Sequence, residues 1–181
     1  MAGGGGGPLY AVYDISGQTA LVTGASSGIG EALVWRLAEA GVKIIAVARR
    51  KERLTALKEA IKEKFGDAEV HCVTLDVRDI KAIQTLPAAL PEGFDKVDIL
   101  VNNAGLARGA SAAHENKMED VQEVLETNVT GTMAFTEAFV PGMIARGRGH
   151  LVNMGSIAGH EVRYIYSYMS IIGDDDRVMN A

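Results

Sequence analysis

Thr23-Gly24-Ala25-Ser26-Ser27-Gly28-Ile29-Gly30 is the segment whose residue types and spacing best suit chemistry. Its glycines at 24, 28 and 30 follow the apolar run Leu21-Val22 and open a stretch of helical periodicity. In a strand–turn–helix setting, Gly24 permits a tight turn and Gly28 lets the backbone approach a ligand. Gly30 then allows close helix–strand packing. The free N–H groups at such a helix start, backed by the helix dipole, suit a pyrophosphate. Ser26, Ser27 and Ile29 fill the rest of the loop. A glycine turn without a ligand is the competing reading, and the strand–turn–helix context weighs against it.

A second group of residues chooses among dinucleotides. Sites for NAD place an acid roughly 20 residues past the glycines, where it binds the ribose 2′-hydroxyl. Here that region reads Ala48-Arg49-Arg50-Lys51. A guanidinium can grip a 2′-phosphate bidentately, whereas an acid would repel it. Three cations at a helix start also oppose its dipole, so they favour a bound anion over mere solvation. The expected cofactor is NADP(H), with Arg49 and Arg50 as its charge partners.

These groups need a scaffold, and the hydrophobic pattern supplies one. Residues 19–22 are a short apolar run, and Ile29, Leu33 and Leu37 then recur as one buried helical stripe, with Gly41 as its C-cap. Residues 42–48 form a second run. Leu54, Leu57, Ile61 and Phe65 mark the inner face of a charged helix ending at Gly66. A third strand at 70–75, a short helix around 80–86 and a fourth strand at 97–101 follow. Val121, Val124, Leu125, Val129, Phe135 and Phe139 continue a helical stripe that breaks register near Asn128 and is perturbed at Pro141. Residues 150–154 make a fifth strand. Apolar strands alternating with amphipathic helices predict an α/β fold, a doubly wound Rossmann-type parallel sheet.

The pattern stops after Gly159, and Asp174-Asp175-Asp176 reads as a solvated tail. The C-terminal strands and helices of such a fold are expected to be missing, leaving apolar surface uncovered beside the fifth strand. The chain therefore divides into a glycine-rich, disordered lead-in at 1–14, a dinucleotide-binding domain at 15–160 and a poorly ordered tail at 161–181.

Bulk properties narrow the function classes. The chain has 181 residues, 48% of them hydrophobic, enough for one sizeable core. A net charge of −5 gives no basic field for nucleic acid or anionic lipid. Cys72 is the single cysteine, which excludes an internal disulfide and a cysteine metal cluster, and it reads as a reduced core thiol. No metal is expected. No apolar run reaches the length of a membrane span, and Met1 to Pro8 lacks a secretory signal's basic start and apolar middle. The expectation is a cytoplasmic protein with a small-molecule partner, and with neither nucleic acid nor membrane.

Taken together, these motifs resemble the short-chain dehydrogenase/reductase family over roughly residues 15–160. The loop from Thr23 to Gly30 is similar to its TGxxxGxG cofactor motif, and Leu75-Asp76-Val77 to its adenine-contacting segment. Asn102-Asn103-Ala104-Gly105 matches its NNAG motif, Asn128-Val129 its helix asparagine, and Gly155-Ser156-Ile157-Ala158-Gly159 its serine segment. The resemblance implies that Asp76 and Val77 meet the adenine, and that Asn102, Ala104 and Gly105 line the nicotinamide side and stabilise the central strand. It also implies that Ser156 donates to the substrate oxygen and that Asn128 holds a relay water. Taken singly, Asp76 and Asn102 could be strand-end caps, Asn128 a satisfied core amide and Ser156 a turn residue; the ordered set favours the functional roles.

A narrower resemblance, to the NADP-dependent serine and 3-hydroxy-acid dehydrogenase branch, rests on Arg49-Arg50-Lys51-Glu52-Arg53-Leu54, Ala104-Gly105-Leu106-Ala107 and the run from Gly155 to Glu161. It implies oxidation of the β-hydroxyl of small acids or reduction of the matching semialdehydes. Family members pair through the helix containing Asn128 and the one after the serine, so a homo-oligomer is an expectation of the same kind.

The family's YxxxK pair does not follow. Its spacing from Ser156 puts the tyrosine at Met169 and the lysine at Gly173. Tyr168 is the nearest candidate acid–base, with Tyr164 and Tyr166 close by, and no lysine follows Lys117. A free tyrosine has a pKa near ~10, so without a cation its phenolate is scarcely populated at neutral pH. The change is abrupt near Val162, which suggests a shifted reading frame, a retained intron or an incorrect gene model. Two readings stand: an NADP-dependent oxidoreductase, or a catalytically inactive NADP-binding fragment or interaction protein.

Overall fold

The computed structural model describes residues 13–108 and 113–156. Five strands form one parallel sheet: β1 (Thr19–Thr23), β2 (Lys43–Ala48), β3 (Val70–Thr74), β4 (Ile99–Asn102) and β5 (His150–Asn153). Their spatial order is β3-β2-β1-β4-β5. The chain moves outward from β1 to β3, then returns to the other side of β1. That reversal opens a crevice at the carboxyl ends of β1 and β4, where ligands bind in doubly wound sheets.

Helices α1 (Gly28–Glu39), α2 (Lys51–Phe65), α3 (Ile80–Ala89), α4 (Met118–Leu125) and α5 (Gly131–Ala145) connect the strands. Alternation along the strands makes two cores. Ala20, Val22, Ile44, Ala46 and Val101 pack with Val34 and Leu37 of α1 and Leu54 and Ile61 of α2. Leu21, Ile45, Val47 and Leu100 face Ile83 of α3 and Phe135 and Phe139 of α5. The register sets Leu21 beside both Ile45 and Leu100, giving this second core a continuous floor.

Local sequence explains the element ends. Helix α1 closes in a Schellman motif: Gly41, at φ 72°, donates to Ala38 O at 3.0 Å, and Val42 donates to Leu37 O at 3.0 Å. Asp79 caps α3 by accepting from Ala82 N at 3.0 Å. With that start, α3 runs to Ala89, beyond the predicted end at 86, and carries Pro87 in its last turn. Strand β4 begins at Ile99, two residues later than the apolar run implies.

The stripe of α1 differs from its expected position. Gly30, Val34, Leu37 and Ala38 are its buried residues, while Ile29 is 65% exposed. Two overlapping four-residue spacings exist in this helix, and the contact of Gly30 with the fourth-strand loop selects the second. Near Asn128 the register break is real: Glu126–Thr130 is a π-helical turn joining α4 to α5. Among the described residues, no helix is long and apolar enough to cross a membrane.

Candidate active site

The phosphate loop is built by contact as much as by conformation. Gly24 has φ 69°, and a Cβ there would come within 2.9 Å of Ala104 Cα. A Cβ on Gly30 would collide with Asn103 Nδ2 and Gly24 O. These two glycines therefore seat the loop and α1 against the segment after β4. Gly28 is different: its φ of 60° is hostile to other residues, and the space its Cβ would enter is open. That open cradle, at the start of a helix whose N-cap Ser27 makes no side-chain cap bond, fits a phosphate group.

Thr23 joins the two loops. Its hydroxyl donates to Val101 O at 3.3 Å and accepts from Asn103 N at 3.0 Å and Ala104 N at 2.9 Å. Asn103 Nδ2 donates to Thr23 O at 2.9 Å. These bonds tie the loop after β1 to the loop after β4.

A cavity of about 320 Å³ lies over these strand ends. Gly24, Ser26, Ser27 and Ile29 form one wall; Ala48, Arg49 and Arg50 form the wall after β2. Leu75, Asp76 and Val77 come from the end of β3, and Asn103, Ala104, Gly105 and Leu106 from the end of β4. Thr127 reaches in from the π-turn. Ile29, predicted both as a core residue and as a cofactor contact, belongs to the cavity mouth.

The charged groups divide the work. Arg50 donates to Ser26 Oγ at 2.9 Å and 3.2 Å and to Ser27 Oγ at 2.7 Å, so it clamps the phosphate loop. Arg49 is 61% exposed, and its nearest carboxylate oxygen, on Asp76, is 3.8 Å away. Asp76 is gripped instead by Arg78, whose Nη2 lies 2.7 Å from Oδ2 and whose Nε lies 3.1 Å from Oδ1. Arg78, with a smaller contribution from Arg49, holds the Asp76 carboxyl below its ordinary pKa against the opposing effect of burial. Arg78 also reaches Glu123 Oε1 at 3.4 Å, and Glu123 Oε2 accepts from Arg108 Nε at 2.8 Å.

Three expected cofactor contacts lie off the cavity wall. Gly28 opens the cradle at the start of α1, and Gly30 packs against Asn103 and Gly24. Asn102 is buried, and its Nδ2 donates to Asn153 Oδ1 at 2.9 Å and to Thr136 Oγ1 at 3.3 Å. Its Nδ2 thus joins β4 with β5 and α5, and its side chain lies in the sheet below the cavity wall.

The amide of Asn128 is also committed. It donates from Nδ2 to Leu106 O at 2.9 Å and accepts at Oδ1 from Leu106 N at 2.9 Å. Its carbonyl accepts from Thr132 Oγ1 at 2.9 Å. Asn128 thereby fixes the loop after β4 against the π-turn. Ser156 follows β5 and is exposed. Tyr168, with Tyr164, Tyr166 and most of the serine segment, lies outside the described residues, as do residues 1–12.

Sequence reading did not single out Thr127, named Leu75 and Leu106 only as members of their motifs, and did not give Thr23 and Asn103 their joint role. Asn103 was within reach as part of the Asn102–Gly105 motif. Thr127 had no signal of its own, because only the π-turn directs it into the cavity.

Residues 18–169 match the short chain dehydrogenase family. This chain belongs to that family. The NADP-dependent 3-hydroxy acid dehydrogenase YdfG of Salmonella typhi is 46% identical over 139 residues, covering 77% of this chain and 54% of that one. Serine dehydrogenase from Escherichia coli superposes with a TM-score of 0.78 at 38% identity, over 86% of this chain and 71% of that one. A closed form of serine dehydrogenase complexed with NADP+ gives 0.75 at 40% identity, over 85% and 61%. The chain spans about half the length of the curated relatives it matches. Its parallel sheet places the glycine loop, the β2 end and the NNAG loop around one crevice.

Proposed function

We propose that this crevice binds NADP(H), and that the chain is the cofactor-binding part of an oxidoreductase acting on a small 3-hydroxy acid or similar alcohol. The observation that carries the cofactor reading is the division between the two arginines. Arg50 is spent on Ser26 and Ser27, while Arg49 stands at the same cavity with no hydrogen-bonded acid. An exposed guanidinium at the end of β2 suits a 2′-phosphate and gives a 2′-hydroxyl no preference. Gly28 and the amides opening α1 would take the pyrophosphate, and Asp76 with Val77 the adenine side.

NADP(H) bound there supplies or accepts a hydride. The chain's residues hold the rest: Ala104 and Gly105 border the nicotinamide side, and Asn128 keeps their loop in place through Leu106. Ser156 would donate a hydrogen bond to the substrate oxygen. The similarity to the 3-hydroxy acid and serine dehydrogenases supports the substrate class.

A second reading is favoured by one feature: no lysine stands anywhere in residues 118–181. The lysine that the YxxxK pattern needs four residues after its tyrosine is then missing, and a tyrosine without a nearby cation is a poor base at neutral pH. On this reading the chain binds NADP(H) without turning it over. Cofactor fluorescence titration, paired with NADP reduction in the presence of serine or 3-hydroxypropanoate, separates the two. Binding with turnover at background supports the second reading; turnover well above background refutes it.

A further inference from the structure

We infer that Arg78, which is not part of the cavity wall, determines cofactor specificity by keeping Arg49 available to an anion. This rests on the reading that Arg49 receives the 2′-phosphate. Asp76 is the acid nearest Arg49, and a free carboxylate there would draw the guanidinium into a direct pair. Such a pair would withdraw the cation from a ligand and place a negative charge beside a phosphate.

The geometry shows why this does not happen. Arg78 holds both oxygens of the carboxylate: its Nη2 lies 2.7 Å from Oδ2, its Nε lies 3.1 and 3.2 Å from the two oxygens, and its backbone N–H lies 3.0 Å from Oδ1. Arg49 is left at 3.8 Å, beyond hydrogen-bond distance. Arg78 is itself anchored, through Glu123 Oε1 at 3.4 Å on α4, and Glu123 is shared with Arg108. The guanidinium is therefore held on Asp76 from two sides, and it is less exposed than Arg49, at 34% against 61%. A bidentate fork outcompetes a single long contact for the same carboxylate. Arg78 is thus a positioning residue, acting on the cofactor only through Asp76 and Arg49.

The test is the ratio of NADPH to NADH affinity, measured by cofactor fluorescence on the full 181-residue chain. Arg78→Gln is expected to weaken NADPH about threefold to tenfold, with NADH changed by less than about twofold. Adding Asp76→Asn removes the competing charge. The double variant is expected to regain the original ratio, even where loss of an adenine contact weakens both cofactors together. Arg78→Lys, which keeps the charge without the fork, should fall between, and it carries the test if Arg78→Gln does not fold.

Equal weakening of both cofactors by Arg78→Gln, or no rescue by Asp76→Asn, would reduce Arg78 to a structural role and overturn the inference. Arg49→Gln separates this failure from that of the underlying reading. If Arg49→Gln lowers the ratio and the Arg78 variants do not, the inference alone is wrong. If Arg49→Gln leaves the ratio unchanged, the 2′-phosphate reading falls and takes the inference with it.

Discussion

At the scale of single residues, two adjacent arginines have different neighbours and so different consequences. Arg49→Asp puts a negative charge where the 2′-phosphate would lie and should weaken NADPH by about tenfold or more, with little change for NADH. Titration of both cofactors checks this, and equal losses would remove Arg49 from phosphate binding. The glycines were legible because spacing reports backbone demands directly. The arginines were legible as a pair from their place after the second apolar run. Which one clamps the loop was not legible, since Ser26 and Ser27 meet Arg50 only once β1 and β2 lie side by side. The Asp76–Arg78 clasp predicts a pH effect. The folded-state pKa of Asp76 lies below its ordinary value, so the clasp's stabilisation is present above that value and disappears as pH falls through the lowered one. Being partly exposed, it is worth less than about 1 kcal/mol. Thermal unfolding of the wild type and Asp76→Asn should differ at pH 7 and converge in acid; a constant gap would contradict the assignment.

At the scale of elements, the junction of α4 and α5 positions the back of the site. The π-turn at Glu126–Thr130 sets Thr127 on the cavity and Asn128 against Leu106. Gly131, at the start of α5, lies so close to β3's exit that a Cβ would sit 2.7 Å from Val77 O. Gly131→Ala should force α5 away from Val77, costing about 1–3 kcal/mol and weakening both cofactors alike. Chemical denaturation beside cofactor titration reads both effects, and a variant of wild-type stability would show that α5 can shift freely. The sequence revealed this junction only as a break in helical register near Asn128. Periodicity detects that an extra residue has entered a helix, but not where the displaced side chains go. The same limit explains Ile29: two helical stripes were compatible with α1, and the fit of Gly30 against Asn103 chose between them.

At the scale of the whole molecule, the parallel sheet was legible because its strands are apolar on both faces, and β1 is buried throughout. Alternating strands and helices made a doubly wound sheet legible but left its strand order open; the observed order β3-β2-β1-β4-β5 places the crevice at the return from β3 to β4. Leu21, fully buried between Ile45 and Leu100, lies at the centre of the second core, so Leu21→Ala should cost about 2–5 kcal/mol by denaturant unfolding. A much smaller loss would mean that the site rests on a looser scaffold than the packing implies. The most direct test of the central claim is a side-by-side titration of the 181-residue chain with NADPH and NADH, followed by cofactor fluorescence. Saturable binding, tighter for NADPH, is the expected result. No saturable binding, or binding as tight for NADH, would contradict an NADP site built from the glycine loop and Arg49.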